Sequence, residues 1–217
     1  MNTMAKYNAT KYHTTRMLLI AQKTCDRATA NPEESISGIL LSVFAFECFL
    51  NEFEDVAQSK ILPSDPKRLQ ILSDFLTSLE RANAKIQLKI QAIYSILAHR
   101  RIDFGSYPFQ DLSMLIAIRN ALVHRKPEKF NWDPANPDNE SKPHKFVAFL
   151  ADKKVINRPS QTQPEVWDTD VLCPEVAAWA LRVVKSAIKE ILGEIPKSRV
   201  KFVMKFLLHQ IVKQKRR

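Results

Sequence analysis

A chain of 217 residues and 25.0 kDa, 45% hydrophobic and 26% charged, is large enough to bury a core of its own and too apolar to be disordered throughout. Three glycines are too few for the frequent turns of a many-stranded sheet, and three cysteines without a C-x-x-C pair suggest neither a disulfide framework nor a thiolate zinc site. The net charge of +10 gathers at one end: eight cations and no acid follow Glu194, and the other 25 of the 33 Lys and Arg nearly balance 23 Asp and Glu.

These features predict an all-α protein, one domain over residues 1–217. The first helix is predicted from near Tyr7 to Thr29, with Met17, Leu18 and Ala21 apolar and Asn31-Pro32 closing it. A second starts near Glu33, carries Ile36, Leu40, Val43, Phe44, Leu50 and Phe53 at helical spacing, and is broken by Pro63 and Pro66. Its apolar stretch Ile36 to Leu50 holds Ser37, Ser42 and Glu47 and falls short of the roughly 20 residues of a membrane span, so a buried core helix is expected. The phenylalanines Phe44, Phe46, Phe49 and Phe53 read as core. Arg68 to Leu79 and Lys85 to His99 read as one bent helix or two, jointed at Glu80 to Ala84. After a connector at Asp103 to Pro108, a helix runs from Phe109 to about Arg125 and stops before Pro127.

Six prolines make a long helix impossible between Lys126 and Cys173, so residues 126–173 read as a Pro-rich insertion. Within it Lys145 to Leu150 is a candidate short strand or hairpin, and Trp132 and Trp167 are candidate pins onto the body. Pro174 suits the first turn of a helix reaching about Leu192. Pro196 opens a last amphipathic helix, with Val200, Val203, Met204, Leu207, Leu208, Ile211 and Val212 on one side. Its basic residues Lys201, Lys205 and Lys213 are candidate nucleic-acid contacts, since such a field favours a polyanion. A solvated tail and a membrane-surface role are the other readings of this segment. The N-terminus has no secretory pattern, and the cysteine usage fits a reducing cytoplasm.

The chemistry centres on Arg119-Asn120-Ala121-Leu122-Val123-His124. Leu112, Leu115 and Ile116 form an apolar stripe that continues onto Arg119 and Val123, and a guanidinium on such a stripe needs a partner. The same reading places Glu47 on the apolar line of the second helix, so Glu47 and Arg119 are expected to meet. Asn120 and His124, four apart, share a helix face; Arg119 and His124, about 140° apart, do not, and a second copy of the helix would complete a compact cluster more easily. His13, His99, His144 and His209 lack metal-ligand spacing, and no phosphate loop, dinucleotide turn, zincin helix or nucleophile elbow occurs.

The Arg-x4-His spacing with a polar residue after the Arg resembles the R-x4-6-H motif of HEPN domains. Phe46-Glu47-Cys48-Phe49-Leu50-Asn51 followed by Ile118-Arg119-Asn120 is similar to the two core helices of that family, over residues 8 to 125. The resemblance implies a helical bundle that dimerises to line one cleft with two Arg/His pairs and cuts RNA without a metal or other cofactor, leaving 2′,3′-cyclic phosphate ends. On it, His124 is the general acid or base, Arg119 neutralises the pentacovalent phosphate and Asn120 orients the phosphate or the His. Glu47 is a supporting ion-pair partner. The family implies toxin or anti-phage roles and partners such as an antitoxin or a nucleotidyltransferase. The alternative class is a non-catalytic helical dimer that binds nucleic acid, a nucleotide or a protein, in which Arg119 and Glu47 are a structural ion pair.

Overall fold

The computed structural model describes residues 13–58, 66–124, 144–157 and 167–194. They are mostly helical, with no strand among them: α1 (Thr14–Ala28), α2 (Glu34–Gln58), α3 (Pro66–Arg81), α4 (Ile86–Ile93), α5 (Phe109–Val123), α6 (Lys145–Asp152), α7 (Trp167–Val171) and α8 (Pro174–Glu194). The expected last helix, with Lys201, Lys205 and Lys213, and Trp132 lie outside the described residues.

The centre of the bundle is α2, which packs against α1, α3, α4, α5 and α8. Its buried residues Ile39, Val43, Phe46, Phe49, Leu50 and Phe53 recur every three or four positions and so form one face. Phe46, Phe49 and Phe53 run as a ladder, with successive ring centroids 6.0 and 5.9 Å apart. Two expectations change here. Phe44 is 53% exposed, because it sits across the helix from the Phe46 face. And α2 is long enough to cross a membrane by length and composition, with an apolar window over Glu34–Asp55. Its apolar side chains are nonetheless buried against neighbouring helices, as a core helix requires.

Beside it α1 runs antiparallel. The buried Glu52 carboxylate on α2 accepts hydrogen bonds from the backbone N–H groups of His13 and Thr14, so a side chain 38 residues away caps the positive end of α1. Near the other end the two helices come together at Gly38. A Cβ there would lie 3.0 Å from Cys25 Sγ and 3.1 Å from Ala177 Cβ, so the missing side chain lets α1, α2 and α8 converge.

The expected joint separates two helices. Asn83 takes a left-handed conformation (φ 50°) in the turn between α3 and α4. Tyr94–Ala98 then continues α4 as a π-helical turn that ends on His99, also left-handed. Phe109, at the start of α5, packs edge-on against Tyr94 at 5.8 Å.

The insertion corrects a prediction. Lys145 to Leu150 belongs to a helix and not to a strand. Phe146, Val147 and Leu150, at i, i+1 and i+4, are its buried face, and His144 Nδ1 accepts a hydrogen bond from Phe146 N–H as an N-cap. The β-forming character of Phe and Val lost to this packing. Trp167 stacks on the His144 ring at 5.1 Å and packs edge-on to Phe146, both residues of the insertion itself, so it holds α6 and α7 together. A tie from the insertion to the body runs through Lys153, which pairs with Asp111 of α5 at 3.0 Å, while the same carboxylate accepts from Trp179 Nε1 at 3.1 Å.

Candidate functional site

α2 and α5 carry the candidate site. Phe109, Leu112, Leu115, Ile116 and Ile118 hold α5 in the core, and one position past Ile118 the stripe meets Arg119. Arg119 Nη2 donates to Glu47 Oε1 across the helix pair, with side-chain exposures of 21% and 28%. Its Nη1 donates to Asn120 Oδ1 at 2.9 Å. Nε is buried and finds no acceptor among the described residues. The guanidinium is therefore fixed by two partners, and its fork is not saturated.

Asn120 serves Arg119, and one turn further on His124 closes the helix. α5 ends at Val123, one residue short of His124, whose φ of −109° and ψ of 38° leave the helix. Its backbone N–H still donates to the Asn120 carbonyl at 2.9 Å. The His124 ring is exposed and makes no hydrogen bond among the described residues. Glu47, Arg119 and Asn120 form one cluster, and His124 stands beside it in solvent. Val123 is 53% exposed and not part of the buried stripe, because the stripe ends where α5 emerges from the bundle.

The cluster extends further than sequence reasoning took it. Lys89 on α4 is nearly buried and pairs with Glu80 of α3. Burial pushes its ammonium below the ordinary lysine range, while the carboxylates of Glu54 and Glu47 pull the other way. Glu54 in turn accepts from Thr77 Oγ1 at 2.6 Å. A signal for Lys89 exists in the sequence, since it lies between Ile86, Ile90 and Ile93 at the spacing that singled out Arg119. Among the described residues no three His, Cys, Asp or Glu side chains converge as a metal site.

This arrangement offers a positioned cation beside a solvent-facing imidazole, at the end of a helix anchored in the core. Comparison with family models, curated proteins and solved structures gives no match, so the reading rests on these residues and on the motif.

Proposed function

We propose that the protein is a HEPN-type endoribonuclease that acts as a homodimer and requires no metal ion, with Arg119, Asn120 and His124 of both copies lining one cleft. The observation that carries this reading is the cluster at the end of α5, where Arg119 is oriented by Glu47 and Asn120 next to the exposed His124. Phe44 and Val123 support the dimer. Each is 53% exposed and lies one turn from the ion pair, so apolar surface borders the charged cluster.

In the proposed reaction one His124 takes the proton of the ribose 2′-OH as the 2′-oxygen bonds to phosphorus. The bond from phosphorus to the 5′-oxygen breaks, and the partner subunit's His124, protonated, supplies the proton to that leaving oxygen. The products are a 2′,3′-cyclic phosphate and a 5′-hydroxyl. Arg119 faces the charge that builds on the phosphorane, held in place in advance by Glu47 and Asn120. A cytoplasmic toxin or anti-phage role, with an antitoxin or nucleotidyltransferase partner, follows from the same motif.

A non-catalytic binding module is the second reading, favoured by the fact that Glu47 already occupies one edge of the guanidinium. Cleavage of structured RNA by the purified protein in EDTA separates the two. Cyclic-phosphate ends that disappear in Arg119→Ala and His124→Ala support the nuclease. No cleavage by a folded, dimeric wild type supports the module. Sedimentation of Phe44→Glu and Val123→Glu tests the dimer, which both substitutions should dissociate.

A further inference from the structure

The other end of α5 carries a second cationic site. Phe109 packs on Tyr94, so the π-helical turn Tyr94–Ala98 and the residues after it lie at the N-terminal end of α5. There Ser95, His99, Arg100 and Arg101 line an open cleft of about 270 Å³. Arg100 stands over the Tyr94 ring, with Cζ 5.4 Å from its centroid. His99 and Arg101 make no hydrogen bond or ion pair among the described residues. The antiparallel α3–α4 hairpin brings the first turn of α3, with Lys67 and Arg68, to this same end. Asp103, the acid that follows in the connector, is occupied by the Gly105 N–H at 2.8 Å.

Two backbone features coincide with the cleft. A π-helical turn interrupts α4, and the helix closes on His99 at φ 54° and ψ 31°, a conformation that glycine adopts most cheaply. Cations at a helix C-terminus complement its dipole, which accounts for one of the two arginines. It does not account for a left-handed histidine or for two arginines in succession around a cleft. The same connector presents Tyr107, 58% exposed and fixed in orientation by its hydroxyl on Ser186 Oγ at 2.8 Å. Adjacent cations with a rigid exposed aromatic ring suit a single strand, whose phosphates take the charges and whose bases stack.

We propose that His99, Arg100, Arg101 and Tyr107 form a docking site for the backbone of single-stranded RNA, distinct from the Arg119 cluster. It rests on the ribonuclease reading only for its purpose. The 15 residues of α5 separate the two sites by about 22 Å along the helix.

The test uses the full chain and a fluorescent 2′-O-methyl RNA 15-mer, which lacks the attacking hydroxyl and cannot be cut. Its affinity is read by anisotropy as salt is varied. Arg100→Gln with Arg101→Gln should weaken binding about tenfold at low salt and flatten the log–log salt slope by about 1.4, the value for two lost contacts on a single strand. Tyr107→Leu should weaken binding and leave the slope unchanged. His99→Gly should weaken binding while raising the melting temperature, because it removes a contact and relieves the left-handed backbone. Wild-type affinity and slope in all of these variants overturn the proposal. So does a thermal shift by inorganic phosphate that the double variant abolishes without any change in RNA binding. Loss of affinity in the variants of a protein that cleaves no RNA upholds the docking site and removes the nuclease reading alone.

Discussion

Arg119 shares its guanidinium between a carboxylate on the neighbouring helix and the amide of the next residue, and each partner limits what the other can do. The pair is mostly but not fully buried, so solvent screens part of its attraction. Glu47→Ala and Arg119→Ala are each expected to cost about 1–2 kcal/mol in urea denaturation, because each leaves a partly buried charge without its partner. The double variant should cost no more than the worse single one; strict additivity would show that the two do not couple. The cysteines give a second prediction at this scale. Burial is the leading cause that pushes the thiols of Cys25, Cys48 and Cys173 up. The unfolded chain then loses those protons first. Stability from this source is full below about pH 8.5 and falls as pH rises through that value toward the raised folded ones. The stability difference between wild type and Cys25→Ala should therefore shrink from pH 8 to pH 10, and a constant difference would contradict the burial argument.

The helices owe their arrangement to a few close approaches. In the middle of a helix glycine is worse than alanine by about 1 kcal/mol, yet Gly38 stands where α1 and α8 meet α2. Gly38→Ala gains that propensity but drives a methyl against Ala177 Cβ, which cannot turn away. A net loss of about 1–2 kcal/mol in urea denaturation is expected, and a stabilised protein would mean the helices separate freely. Legibility from sequence also divides at this scale. The long helices were readable because Phe46, Phe49 and Phe53 or Leu112, Leu115 and Ile116 repeat at helical spacing. The same stripe rule pairs Arg119 with Glu47, and on α4 it points to Lys89. It could not place α6, where Phe146 and Val147 favour a strand in isolation and packing against Trp167 decides otherwise. Nor could spacing foresee that α5 stops at Val123 and leaves His124 as its C-cap, since an exit from the helix depends on one backbone angle.

Across the whole molecule, one continuous core joins α1 near the start of the chain to α8 and takes in α6 from the insertion. Asp111 is the joint between these parts, since it meets both Trp179 of α8 and Lys153 beyond α6. Asp111→Ala strands the buried indole N–H of Trp179 and leaves the Lys153 ammonium with Gln110 Oε1 as its partner on α5. A loss of about 1–3 kcal/mol in thermal or urea unfolding is expected, against almost none for Glu190→Ala on the exposed side of α8. Equal effects would mean that the insertion is held by its apolar contacts alone. The stacking of Trp167 on His144 reaches beyond stability. An indole in face contact with an imidazole emits differently from one in solvent, so separation of α6 from α7 should change the light from Trp167. The protein thus carries a built-in optical gauge of whether its insertion holds together, readable without any label.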